Sequence, residues 1–303
     1  MALAQETRGD NPKLAVMVIL LTVLTLALGD ALIKKVSADL VLWQIFVLRS
    51  SLALPILFAI LRVRFASVRL MPSALGWTIA RSAMLAFMWI AYYAALPHLQ
   101  LSIAAAAYYT LPIFITVFSA FFVGEKVGWM GWFAVVLGFC GVVLILKPTA
   151  GDFSLYALLP LLSAMLYALA MILTRTKCRD EHPLVLSGAL NVTFIIVGLI
   201  VSGLIGLGNA PVPSSSFLAS AWSPLGGKEM VAIVLLAVAI LVASIGTSIA
   251  YQIGAPSVVA TFDFAYVAFA VVCGFLFFDE VPDAMAIGGM VMIVVAGIIA
   301  VSR

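Results

Sequence analysis

Charge is what this chain has least of. Lys, Arg, Asp and Glu make up 10% of its 303 residues, against about 25% in a soluble globular chain. Hydrophobic residues make up 65%, and the mean hydropathy is +1.24. That composition excludes a soluble protein, and equally a soluble domain on a single anchor. Histidine is scarce, only His98 and His182, and the three cysteines, Cys140, Cys178 and Cys273, lie far apart. There is no CxxC or Cys/His cluster, so no metal site, disulfide framework or cofactor is expected. No glycine-rich phosphate loop is present, which argues against ATP-driven transport by this chain alone. No basic patch calls for nucleic acid. A membrane hydrolase needs a nucleophile with a base, or paired acids, at membrane depth. Both histidines fall in loops on opposite faces, so no enzyme assembles.

What is present is apolar sequence in long runs. A run of about 20 residues spans a bilayer core of roughly 30 Å as a helix. Breaks at charges, prolines and glycines divide the chain into ten such spans, near 14–33, 40–61, 73–95, 99–122, 127–147, 153–173, 184–208, 229–251, 255–278 and 282–302. The first is longer than a secretory signal core and reads as an uncleaved span. The long connection at 209–228 is rich in Pro, Ser and Gly and reads as a flap or a partly disordered segment. Arginine and lysine set the orientation. With the N-terminus inside, Arg8, Lys13, Arg62, Arg64, Arg69, Lys126, Arg175, Lys177, Arg179 and Arg303 face the cytoplasm, against Lys34, Lys35, Lys147 and Lys228 outside. Both termini are therefore expected in the cytoplasm of a cell's inner or plasma membrane.

The chain also repeats itself. Shifted by 155 residues, FFVGE at 121–125 lies over LFFDE at 276–280, Ser102 over Ser257, Ala105 over Ala260 and Val136 over Val291. A weaker match at a shift of 140 sets Lys35 over Arg175. Residues 1–150 and 151–303 thus read as two five-helix copies. Five is odd, so the second copy enters the membrane from the opposite side, as in many secondary transporters. The expected fold class is all-α and integral to the membrane, with two inverted five-helix repeats around a central cavity.

The segment YYAALPHLQLSIAAAAYYTLPIFITVFSAFFVGEKVGWMGWFAVVLGFCGVVLIL (92–146) and its echo at 250–301 carry small residues, a terminal Glu and then a glycine-punctuated helix. In this the chain resembles the ten-helix, EamA-like exporters of the drug/metabolite transporter superfamily, most of all the aromatic amino-acid branch. Val267 stands where the first copy has Pro112. The resemblance implies a small-molecule exporter.

Few residues within the spans could recognise a substrate. Asp263, in TFDFAY, lies about 12 Å into span 9, and an acid at that depth requires a partner, a proton or a ligand. In the repeat alignment it lies over Tyr108, and Tyr266 over Leu111. Tyr108, Asp263 and Tyr266 are therefore expected to floor a cavity, the acid meeting an ammonium, a proton or both; the plainer alternative is a protonated Asp hydrogen-bonded to a carbonyl. Arg49 cannot shed its charge. It either holds a carboxylate or bonds the carbonyls of a broken helix. Met88 and Tyr92 share a face of span 3 with Met84, and Ser163 lies one turn from Tyr167 in span 6, which gives walls for an apolar or aromatic side chain. Tyr92 and Tyr93 fit a membrane-interface belt as well. Asp30 stands four residues before Lys34 and reads as its local ion-pair partner. Arg81 reads as a snorkelling residue, and Glu125 and Glu280 as caps for the helix that follows each. The expected function is export of neutral or aromatic amino acids, or similar zwitterions, by alternating access. A proton-coupled exporter of lipophilic cations is the alternative, and it requires Arg49 to face away from the cavity. The partners implied are a small-molecule substrate, the lipid bilayer and protons, for a monomer or weak homodimer.

Overall fold

In lipid every backbone polar group must be satisfied within the chain, so a single apolar run becomes a helix. The computed structural model describes residues 12–118, 121, 128–146, 154–178, 180–207, 217–253, 262 and 265–301. Among these the chain is all-helical: α1 (Pro12–Val36), α2 (Leu42–Arg64), α3 (Leu75–Ala95), α4 (Leu101–Tyr108), α5 (Leu111–Phe118), α6 (Trp129–Leu146), α7 (Leu158–Lys177), α8 (Pro183–Leu207), α9 (Gly227–Ile253), α10 (Ala265–Phe278) and α11 (Ala284–Val301). Six helices are long and apolar enough to cross a membrane, and four shorter apolar helical stretches accompany them. The protein is a multi-pass membrane protein. Leu, Ile, Val, Phe and Trp side chains lie exposed on α2, α6, α8 and α9, as expected of surfaces that face lipid.

Helices distant in sequence pack against one another. α1 lies along α9, α2 along α8, α3 along α7 and α6 along α11. α10 packs on α1 and α4, while α7 also meets α4 and α5. Close approach at two of these seams requires glycine. A Cβ on Gly141 of α6 would stand 2.7 Å from the Gly289 carbonyl oxygen of α11. A Cβ on Gly246 of α9 would stand 2.1 Å from Thr22 Oγ1 of α1, so Gly246 serves as a packing position.

Three local features position the site. First, α4 and α5 are one apolar stretch broken at Tyr109–Thr110. Pro112 has no N–H to offer the Tyr108 carbonyl, and Thr110 Oγ1 donates to the Ala107 carbonyl at 2.7 Å. Pro55, by contrast, sits inside a continuous α2. Second, residues 217–226 do not hang free as a flap. Leu42 N–H donates to the Phe217 carbonyl at 2.9 Å, Trp43 Nε1 to the Leu218 carbonyl at 2.7 Å, and Gln44 exchanges two hydrogen bonds with the Ser223 backbone. This segment pins the entry of α2, which carries Arg49. Third, α1 runs on to Val36, three residues past the span boundary expected from hydropathy, which sinks Asp30 deeper than sequence alone indicated.

Candidate substrate site

Two charged side chains of opposite sign are buried at similar depth where α1 turns into α2. Asp30 precedes the end of α1 at Val36 by six residues, and Arg49 follows the start of α2 at Leu42 by seven. Both therefore lie roughly 10 Å below the same end of the bundle. Asp30 is 3% exposed and Arg49 2%. They line one small cavity of about 20 Å³ together with Trp89, Tyr93 and apolar groups of α1 and α9. That volume holds about one water molecule.

Asp30 is not the partner of Lys34. Its carboxylate accepts a hydrogen bond from Tyr266 Oη, and the Tyr266 hydroxyl meets Tyr92 Oη at 2.9 Å. Hydroxyls from α10 and α3 thus converge on an acid from α1. Lys34, one turn further along, instead forms an ion pair with Glu280 and donates to the Leu99 carbonyl. Glu280 also accepts the Leu101 N–H at 2.7 Å, the first of α4. It caps a helix in the other half of the chain, not the helix that follows it. Asp279 makes this reach feasible by adopting a left-handed turn, φ 53°. The carboxylate then folds back over Gly274, where a Cβ would stand 2.9 Å from Glu280 Oε2. This clamp ties α1, α4 and α10 together at the end of the bundle nearest the cavity.

Arg49 is held loosely for so buried a cation. Nη1 lies 3.4 Å from Tyr93 Oη, while Nε and Nη2 have no hydrogen-bond partner. The rings of Phe46, Tyr93 and Phe194 surround the guanidinium, with centroids 5.0–5.6 Å from its carbon. Such faces attract a cation but accept no hydrogen bond in its plane. Two donors of the fork remain open, the geometry that a carboxylate fills.

The remaining expected residues pack with one another in an aromatic cluster and are not among those that line this cavity. Tyr92 packs on Tyr108 at 5.3 Å between centroids, Tyr108 on Tyr167 at 6.0 Å, and Tyr109 stacks on Tyr266 at 5.0 Å. Met88 is buried beside Tyr108 and Tyr167. The Ser163 hydroxyl donates to the Met88 carbonyl at 3.0 Å, joining α7 to α3. Tyr92 and Tyr93 are buried core residues and form no interfacial belt. Arg81 does not simply snorkel: its Nε donates to Thr174 Oγ1 at 2.6 Å. Asp263 and Glu125 lie outside the described residues. A wider surface depression of about 620 Å³ at the α2–α3 turn, lined by Arg62 and Arg69, carries none of these groups.

Sequence reasoning placed Arg49, Tyr92, Tyr108 and Tyr266 among the site residues and assigned Asp30 elsewhere. The signal for Asp30 was its place about as many residues before the short α1–α2 connection as Arg49 stands after it.

A multi-pass helical chain with a small, charged and aromatic centre has the form of a small-molecule carrier, and comparison with known proteins agrees. Residues 13–147 match the EamA-like transporter family. The chain is 28% identical to the pseudopaline exporter CntI of Pseudomonas aeruginosa, over 97% of this chain and 98% of that one. It is 29% identical to a riboflavin transporter of Rhizobium johnstonii over 64% of this chain and 58% of that one. It is 24% identical to an S-adenosylmethionine uptake transporter of Rickettsia conorii, over 63% and 60%. A solved crystal structure covers 95% of both chains with a TM-score of 0.62 and 18% identity; it shares the fold. These EamA-like relatives are small-molecule transporters of the membrane.

Proposed function

We propose that this protein is a secondary exporter of amino acids or similar small zwitterions, working by alternating access in the inner membrane with both termini in the cytoplasm. The observation that carries this reading is Arg49. It lines the cavity with two donors of its fork unpartnered, so a substrate carboxylate would complete its hydrogen bonding. The lipophilic-cation alternative requires Arg49 to face away from the cavity, and its position counts against that. An acid at membrane depth takes the ammonium group, with Asp263 the candidate from sequence. Tyr108, Tyr266, Met88, Tyr92 and Tyr167 form the wall for the side chain, with Ser163 behind Met88. The similarity to the pseudopaline exporter, nearly end to end, supports export as the direction.

The packing supports two repeats, residues 1–150 and 151–303, of five spans each. Exchange each of the first five spans for its counterpart five places on, with α4–α5 as the fourth span. The α1–α9 contact then becomes α7–α3, α1–α10 becomes α7 with α4–α5, and α2–α9 becomes α8–α3, while α2–α8 and α6–α11 map onto themselves; all of these contacts are present. A pseudo-two-fold relation of this kind is the basis for switching between inward- and outward-open states.

The test is counterflow in proteoliposomes with labelled neutral and aromatic amino acids beside a labelled lipophilic cation. Exchange of amino acids alone is the expected result. Exchange of the cation alone would overturn the zwitterion reading.

A further inference from the structure

We infer that Asp30 is the seat of the substrate's ammonium group. This rests on the zwitterion reading above and deepens it by naming the acid.

Four observations carry the assignment. Asp30 and Arg49 line the same cavity, and among the described residues no other charged side chain lines it. Among the described residues no lysine or arginine lies within ion-pair distance of Asp30, and Lys34, one turn along its own helix, is held by Glu280. The groups that meet its carboxylate, the hydroxyls of Tyr266, Tyr92 and Tyr93, are uncharged donors. The space between acid and arginine is about 20 Å³, room for a water and far too little for an amino acid.

A carboxylate buried from water is stable as an anion only with a counter-charge. Arg49, opposite it, is a buried cation with donors unmet. The two charges are complementary, and they do not close on each other as an ion pair. A free amino acid satisfies both ends at once: its carboxylate on the Arg49 fork, its ammonium on Asp30. Trp89, Leu26 and Gly29 would then surround the carbon between them. Entry needs the cavity to widen, which moves α1 against α9, the two helices whose apolar groups form its sides. Tyr266 is a positioning residue here: its hydroxyl orients the carboxylate through Oδ2. The site would admit compounds that carry both a free amine and a carboxylate, and discriminate against those whose amine is acylated.

The experiment is counterflow with labelled phenylalanine beside its N-acetyl derivative. The wild type is expected to exchange phenylalanine at least tenfold faster. Asp30→Asn is expected to slow phenylalanine at least tenfold while changing the N-acetyl derivative less than twofold, so that discrimination collapses. Asp30→Glu is expected to restore discrimination in part, and Tyr266→Phe to raise KM while keeping it. Should Asp30→Asn fail to fold, the wild-type protein carries the test. Dicyclohexylcarbodiimide labelling of the Asp30 peptide, read by mass spectrometry, should be blocked by phenylalanine and not by N-acetylphenylalanine. Unchanged discrimination in Asp30→Asn, or protection found at Asp263 and not at Asp30, overturns the assignment while the exporter reading stands. Failure of the wild type to exchange any amino acid overturns the exporter reading and this seat with it.

Discussion

At the scale of single residues, the centre of this protein carries buried polar groups that nothing among the described residues satisfies. Arg49 keeps two buried donors unpartnered, and each such group costs about 1–3 kcal/mol. Arg49→Met preserves volume and contact with the three surrounding rings while removing the unmet donors. It is expected to raise the melting temperature in detergent, by the equivalent of about 1–3 kcal/mol, and to abolish exchange. Arg49→Lys keeps the charge but loses the planar fork, and is expected to lower exchange at least tenfold. A gentler case lies outside the membrane spans. His182 accepts the Leu184 N–H on Nδ1 at 3.3 Å and packs on Phe65. Partial burial lowers its pKa below the ordinary 6.5. The folded state therefore binds fewer protons there than the unfolded chain, and this contribution is present above pH 6.5 and lost as pH falls through the lowered value. Melting curves between pH 5 and 8 should show a small destabilisation on acidification that His182→Asn flattens.

At the scale of elements, the bundle is held by close seams and by one cross-chain clamp. A valine at Gly141 would collide with the Gly289 backbone, which cannot move away as a flexible side chain can. Gly141→Val is expected to destabilise by about 1–3 kcal/mol or more, whereas Gly288→Ala on the neighbouring position meets nothing within 4 Å and should be neutral in the same assay. The Lys34–Glu280 pair ties three helices together and is largely shielded, each side chain 12% exposed. Lys34→Gln and Glu280→Gln each leave a shielded charge without its partner, an effect of about 3–5 kcal/mol when burial is complete. The Glu280 change should cost more, because it also weakens the cap on Leu101. A double-mutant cycle on melting temperature should find the two changes strongly non-additive. Hydropathy made the helices legible, and the expected boundaries fall within a few residues of the observed ones at most ends. The clamp was not legible, because 246 residues separate Lys34 from Glu280 and local spacing favoured Asp30 as the partner.

At the scale of the whole molecule, the exporter reading places both termini on one side of the membrane, and this is directly checkable. Cytoplasmic reporters fused before Met1 and after Arg303 should both be active, and a reporter that works only outside should be active when inserted within 209–216. Activity of the same reporter class at only one terminus would sink the even number of spans. The cavity in the structure holds about a water molecule, so on the exporter reading the helices around it must part to admit a substrate. The long packed interfaces of α1 with α9 and of α3 with α7 are the seams along which that reading has them move.

The sequence by itself determined that this chain lives in a bilayer, that its elements are helices, and that its second half echoes its first. Those properties follow from composition and from patterns along the chain, which need no knowledge of what touches what. It also singled out Arg49, Tyr92, Tyr108 and Tyr266, because polar groups at membrane depth are conspicuous against apolar neighbours. Only the tertiary structure decided the partners. It gave Lys34 to Glu280 and Asp30 to Tyr266, since pairing among buried charges depends on which helices the fold brings to the same depth. That choice moved an acid that looked like part of a surface ion pair into the wall of the cavity opposite Arg49.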